Sequence, residues 1–128
     1  MNIKKLVVGS MFSMLLGSEM AAADWDDVYY CQMTESIGVT RDGKMNNHPL
    51  EKFQFKLDQT SNAMVFGSTG YFADSVLELT TGSTWPSQET WRSNYTHSMT
   101  SFEEGTFVYT RNGFSVAALV ISADCDKF

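Results

Sequence analysis

The residues that could do chemistry in this sequence are few and scattered. The two histidines, His48 and His97, are isolated and lack the spacing by which side chains bind a metal together. The chain has no Gly-x-Ser-x-Gly motif of a serine hydrolase, and no glycine-rich phosphate loop precedes a predicted helix. A cysteine nucleophile is disfavoured because Cys31 and Cys125 are expected to be oxidised. We therefore predict no catalytic residue, no metal site, no cofactor and no enzymatic activity.

Pairs of acidic residues are the remaining candidates for catalysis or ion binding. They occur at Asp26-Asp27, Glu103-Glu104 and Asp124/Asp126. Adjacent residues on a strand point to opposite faces, so the first two pairs do not converge on one substrate. Asp124 and Asp126 share a face, but the sequence lacks further carboxylates at the spacing of a calcium loop. These pairs predict solvated chain ends and turns.

The first 23 residues have the layout of a signal peptide. Met1 to Lys5 is a short cationic start, and Leu6 to Leu16 is an apolar stretch too short to span a bilayer. Met20 to Ala23 then supplies the small residues of a cleavage site, so we predict cleavage after Ala23. The prediction gives a mature domain at 24–128 that is periplasmic or secreted, in a bacterium. An N-terminal membrane anchor that stays attached is the alternative.

The two cysteines predict one disulfide bond. An exported chain with an even number of cysteines is typically oxidised, and Cys31 and Cys125 allow a single intramolecular pairing. This bond encloses nearly the whole mature domain. In the chain-entropy model a loop of that length stabilises the fold by about 4–5 kcal/mol.

The net charge narrows the choice of partner. The mature part has seven basic and fourteen acidic residues. Such a chain is repelled by phosphate backbones and gains nothing at an anionic membrane, so neither nucleic acid nor a membrane is an expected partner. The charge favours solubility, or a basic protein partner such as lysozyme.

Alternation of apolar and polar residues with a period of two dominates the mature chain, as in half-buried strands. The side chains expected to face the interior are Phe53, Phe55, Leu57, Leu77, Leu79, Phe107 and Tyr109. Turn signals separate the strands, among them Asp42-Gly43, Glu104-Gly105 and the stronger hairpin signal Asn112-Gly113.

This spacing predicts an all-β fold, a small single-domain antiparallel β-barrel of about seven to eight strands, lipocalin-like or a closed meander. In a closed meander the first and last strands are neighbours, which brings Cys31 and Cys125 within reach of each other. A β-sandwich with a bond between its sheets is the alternative.

The strand pattern lapses between Thr80 and His97, and this gap contains Trp85, Trp91 and Tyr95. Long loops are uncommon in compact domains and often functional, and their aromatic residues can anchor a partner or stack on a sugar. We predict a candidate binding loop here. The alternative is that the tryptophans cap one open end of the barrel.

A second candidate is the glycine-rich turn between Val65 and Phe72, which carries Ser68, Gly70 and Tyr71. The exported, all-β layout with two cysteines resembles, in architecture only, the periplasmic inhibitors of C-type lysozyme. The resemblance implies that a loop bearing Ser, Gly and Tyr near a basic residue enters the lysozyme cleft. Here no basic residue lies among those three.

Together these features predict an exported, non-enzymatic binding protein that presents aromatic loops on a rigid barrel, as an inhibitor or interaction module for a protein or glycan. The alternatives are a lipocalin-like carrier of a small hydrophobic ligand and a structural periplasmic protein. The partner is thus an unknown protein, a glycan or a small apolar ligand. The oligomeric state is not determined by the sequence.

Overall fold

The structure, a computed structural model, describes residues 22–80, 90–95, 97–113 and 117–128. Nine strands are assigned within these ranges, and we number them in chain order. They are β1 (Val28–Val39), β2 (Met45–Asn47), β3 (Lys52–Asp58), β4 (Ala63–Phe66), β5 (Val76–Glu78), β6 (Thr90–Tyr95), β7 (Ser98–Glu103), β8 (Thr106–Arg111) and β9 (Ala118–Lys127). These ranges contain no helix that is long and apolar enough to cross a membrane.

The strands form one antiparallel sheet that curls into a nearly closed barrel. Their order is β5-β4-β3-β1-β9-β8-β7-β6, and the short β2 pairs with β1 beyond Lys52, the first residue of β3. The two outer members of this order meet, since the Thr80 amide donates to the Arg92 carbonyl at 3.0 Å and the Ser93 hydroxyl donates to the Glu78 carbonyl at 2.5 Å. The predicted all-β barrel is confirmed, and the sandwich alternative is not found.

The first and last strands are neighbours, and the predicted disulfide joins them. Cys125 lies directly opposite Cys31 in the β1–β9 pairing, and their sulfur atoms are bonded at 2.07 Å. Both cysteines are buried. A bond of this kind indicates an oxidising compartment outside the cytoplasm.

A bulge in β1 changes which residues face the interior. The pairing with β9 shifts between Ser122 and Ala123, so that Thr34 is the extra residue of β1. The Thr34 hydroxyl donates to the Ser122 carbonyl at 3.1 Å. Tyr29, Cys31 and Met33 are buried before the bulge, and Ser36 and Gly38 are buried after it. The extra residue therefore explains why strict alternation fails along this strand.

The interior is filled largely by aromatic rings. Of the seven residues predicted to face it, six are buried and Leu77 is partly buried against them. Rings from β1, β3, β4, β7 and β8 contact one another at centroid separations of 4.7 to 6.1 Å. This spacing is that of packed aromatic pairs, so ring atoms occupy this part of the barrel.

The antiparallel strands place their connections at two ends of the barrel. The loop end, as we call it, carries residues 40–44, 67–75, 97 and 112–113. The terminal end carries residues 24–27, 59–62, 104–105 and the last residues of the chain. All the loop-end segments follow strands that run in the direction of β1, which is why they lie together.

The turn signals have different outcomes. Glu104 and Gly105 form a two-residue hairpin turn between β7 and β8, both with positive φ (51° and 81°), as a type I′ turn requires. The Thr40–Lys44 segment closes the predicted hairpin at Asp42-Gly43. Asn112-Gly113 is not a two-residue turn, because β9 begins only at Ala118.

Candidate functional site

The segment Gly67–Ser75 folds back over the loop end of the barrel. The Gly67 amide donates to the Gln54 carbonyl at 3.1 Å, and the Tyr71 amide donates to the Lys52 carbonyl at 3.2 Å. Both acceptors lie in β3, so the segment is held against the barrel wall. The interactions fix a loop that would otherwise project into solvent.

Phe72 anchors this segment in the core. Its side chain is buried, and its ring contacts Phe53 at 5.0 Å, Phe66 at 5.0 Å and Tyr109 at 5.1 Å between centroids. The burial of one phenylalanine side chain contributes about 1.5–3 kcal/mol. Phe72 therefore closes the loop end from above while its neighbours on the segment stay exposed.

Gly70 is required by the close approach of this loop to β3. Its φ is +95°, and a Cβ atom at this position would lie 2.6 Å from the Lys52 carbonyl oxygen. Both the backbone conformation and the space exclude a side chain. The turn that carries Ser68 and Tyr71 thus depends on glycine at its centre.

The predicted residues Ser68, Gly70 and Tyr71 are all exposed at the loop end. Beside them a shallow depression of about 240 Å³ is lined by Tyr30, Lys52, Phe53, Gln54, Thr69 and Gly70. Lys52 is distant from this turn in the sequence, but β3 brings it alongside. The structure thus supplies a basic residue next to Ser68, Gly70 and Tyr71 that the sequence order did not reveal.

The second predicted binding segment is only partly a loop. Thr90–Tyr95 is strand β6, paired with β7 along its whole length, so the prediction of a continuous loop from Thr80 to His97 is wrong over these residues. Trp85 lies outside the described residues. The strand escaped detection because its inward positions alternate Trp91 with the polar Ser93, which is also buried.

Trp91 is buried and is not a surface contact residue. Its side chain has no exposed area, and its ring meets that of Trp25 edge to face at 4.9 Å. The Nε1 atom of Trp91 has no hydrogen-bond partner. Its prediction as a binding residue is therefore corrected, because the strand turns this side chain into the core.

Tyr95, the last residue of β6, is exposed over 66% of its surface. Met99 pairs with Asn94 on the adjacent strand and is also largely exposed. These residues border a depression of about 310 Å³ that extends to Arg111 and Asn112. Tyr95 thus stays a candidate contact residue, at the same end of the barrel as Tyr71.

Of the two histidines, His97 lies at the loop end, whereas His48 lies beside β1, where its amide donates to the Ser36 carbonyl at 2.8 Å. Both are exposed. The imidazole of His48 covers Gly38, where an added Cβ atom would lie 2.6 Å from Nε2. Within the described ranges no three His, Cys, Asp or Glu side chains are grouped as metal ligands would be.

Two titratable groups near the terminal end have shifted pKa values. Burial, reinforced by the charge of Asp27, raises the pKa of Tyr29 to about 12. Hydrogen bonds from the hydroxyl and amide of Ser61, and then the charge of Lys56, lower the pKa of Asp58. Neither residue lines the loop-end depressions. The two shifted pKa values therefore reflect packing of the barrel and do not mark the candidate binding surface.

The acidic residues are distributed unevenly between the two ends. Those at or next to the terminal end are Asp24, Asp26, Asp27, Asp58, Glu103, Glu104, Asp124 and Asp126. The basic residues there are Lys56, which contacts Asp26 and Asp58, and Lys127, which contacts Asp27. Asp42 and Asp74 lie at the loop end, so most but not all of the acidic residues that the structure describes lie away from Tyr71 and Tyr95.

No protein-family model, curated protein or solved structure matches this chain.

Proposed function

We propose that this protein is an exported, non-enzymatic binding protein whose contact surface is the loop end of the barrel. One observation carries the proposal: the Ser68–Tyr71 turn and Tyr95, which lie far apart in the sequence, are exposed at the same end of a disulfide-linked barrel. Aromatic residues on a rigid scaffold are the usual anchors of binding surfaces.

The loop end is organised before a partner arrives. Phe72 holds one loop in the core, and backbone hydrogen bonds from Gly67 and Tyr71 fix it to β3. A loop that is already ordered loses little conformational entropy on binding. This supports a role in recognition for the exposed residues of the loop.

The charge distribution changes the expected class of partner. Electrostatic attraction would steer a basic protein toward the terminal end, where eight of the described carboxylates lie. The exposed aromatic residues Tyr71 and Tyr95 lie at the other end. The proposal therefore does not rest on the net charge, and a protein or a glycan bound at the loop end needs no basic character.

The packing of the interior does not favour the alternative of a small-ligand carrier. Phe53, Phe55 and Phe107 lie at the centre of the ring cluster. The centroid of Phe107 is 4.9 Å from that of Phe53 and 5.9 Å from that of Phe55. A lipocalin-like carrier needs a cavity at this place.

The location that belongs to this proposal is the periplasm or the extracellular space, after removal of residues 1–23. N-terminal sequencing of the protein recovered from a bacterial periplasm tests this step. A mature chain that starts at Asp24 is expected. A protein recovered with its full N-terminus would contradict it.

A pull-down tests the binding surface. The oxidised mature protein is immobilised and exposed to periplasmic and extracellular extracts, beside a Tyr71→Ala/Tyr95→Ala variant. Val120→Ala is the control, because Val120 is an exposed apolar residue (42%) of β9 that lines none of these depressions. We expect the double variant to lose the captured partner and the control to keep it. Loss in the control alone, or no captured partner at all, would contradict the proposal.

A further inference from the structure

The three arginines of the chain, Arg41, Arg92 and Arg111, each line one of three depressions that share lining residues, and we call these depressions together the groove. The groove begins on the outer face of β6, β7 and β8 and ends at the loop end. It consists of three adjoining depressions of about 250, 310 and 350 Å³. The first two share Asn94, and the last two share Asn112.

The groove is long enough for an extended ligand. It follows β8 from Val108 to Asn112, and four residues of a strand span about 13 Å. It then continues past His97 toward Arg41. A chain molecule rather than a single small anion fits a surface of this shape.

The charge of the groove is opposite to that of the chain. The sequence has fifteen acidic and nine basic residues, yet none of the described residues that line the groove is Asp or Glu. Arginine differs from lysine in that its planar fork of donors matches a carboxylate or a sulfate in two places at once. Fixed anionic groups along a ligand are what such a lining recognises.

The other residues of the groove point to a sugar. The exposed ring of Tyr95 offers a flat face on which a sugar can stack. The amides of Asn94 and Asn112 and the hydroxyl of Thr110 can donate to and accept from sugar hydroxyls. Met99 supplies an apolar surface between them.

We propose that this groove binds an acidic polysaccharide, whose carboxylate or sulfate groups contact Arg111 while a sugar ring packs on Tyr95. The inference rests on the proposed function, since it assigns a ligand class to a surface at the loop end. Nucleic acid is the competing polyanion. Its phosphates would meet the same arginines, so single-stranded DNA is one of the probes in the test.

Calorimetric titration of the oxidised mature protein tests the inference at low and moderate salt. The probes are polygalacturonate for carboxylates, dextran sulfate for sulfates, dextran as the neutral sugar and single-stranded DNA. We expect binding of at least one acidic polysaccharide that weakens as salt rises, and no binding of dextran. No binding of either acidic polysaccharide, or tighter binding of DNA, would overturn the inference.

Two variants locate the binding. Arg111→Gln is expected to weaken the interaction at least tenfold, and Tyr95→Ala to weaken it further when combined. The matched control is Lys56→Gln, which removes an equal charge at the terminal end. Equal weakening in the control would show that binding depends on overall charge, which overturns the groove assignment.

The two proposals fail separately. A partner captured in the pull-down in a Tyr95-dependent manner, with no polysaccharide bound, removes only the ligand class. If no partner is captured and no polysaccharide binds, the proposed binding function itself is contradicted.

Discussion

Cys31 and Cys125 face each other across strands β1 and β9, with Cα atoms 4.0 Å apart. These strands share ten paired residues, so the bond reinforces the longest pairing of the barrel. The opposite side is closed differently. There β5 and β6 meet through a few hydrogen bonds around Thr80 and Ser93. The barrel is therefore reinforced by a covalent bond between β1 and β9 and, on the opposite side, closed by a few hydrogen bonds between the ends of β5 and β6.

Reduction of the disulfide is expected to destabilise the fold without changing its pairing. The bond encloses nearly the whole domain, and the chain-entropy model gives a loss of about 4–5 kcal/mol in the free energy of unfolding. Urea unfolding with and without reductant measures this, with a Cys31→Ser/Cys125→Ser variant as the control that reductant should not affect. Unchanged stability on reduction would show that the bond does not constrain the unfolded chain.

Ser93→Ala is expected to weaken the closure between β5 and β6. The substitution removes the donor to the Glu78 carbonyl in a part-buried hydrogen bond, and such a bond contributes about 0.5–1.5 kcal/mol. Ser101 on the outer face of β7 is the matched control, since Ser101→Ala removes a half-buried hydroxyl on the opposite face of the sheet. Urea unfolding of both variants should separate them, and equal losses would contradict the role given to Ser93.

Gly70→Ala is expected to dislodge the loop over β3. The left-handed conformation alone costs about 1–2 kcal/mol for alanine, and the approach to the Lys52 carbonyl adds to it. Gly43→Ala is the matched control, because Gly43 also has a positive φ (+87°) but open space around its Cβ position. The difference between the two variants in the loss of unfolding free energy measures the cost of the steric contact between the alanine Cβ atom and β3. A smaller loss for Gly70→Ala than for Gly43→Ala would exclude that close approach.

Phe72→Ala is expected to destabilise the protein by about 3–5 kcal/mol, as deletion of a buried ring does. Its exposed neighbour supplies the comparison, since Tyr71 projects from the same loop and is 38% exposed. Tyr71→Ala should cost far less. Thermal or urea unfolding distinguishes them, and similar losses would mean that Phe72 does not anchor the loop in the core.

The stability of the protein is expected to fall at alkaline pH partly because of Tyr29. Its pKa is raised to about 12 in the fold, whereas an unfolded tyrosine ionises near 10. The unfolded state therefore releases its proton first, and stability present below pH 10 declines as the pH rises toward 12. Tyr29→Phe should reduce this decline by about 2–3 kcal/mol, at 1.36 kcal/mol per pKa unit. Identical pH profiles for the two proteins would contradict the shift.

The sequence by itself determined the local features of the barrel. Alternation in "FQFKL" is enough to bury Phe53, Phe55 and Leu57, because successive side chains of a strand point to opposite faces. The disulfide followed as well, since two cysteines permit one internal pairing. Strand β6 was not predicted, because one of its inward positions is the polar Ser93. Alternation reveals a strand only when its buried residues are apolar.

Only the tertiary structure decided what the barrel presents to its surroundings. Strand register brings Lys52 beside Gly70 and turns Trp91 inward. It also places most of the described carboxylates near the terminal end and the three arginines in adjoining depressions. These relationships join residues that are remote in the sequence and become neighbours only when antiparallel strands pair. The sequence of a single strand does not specify which strands it pairs with.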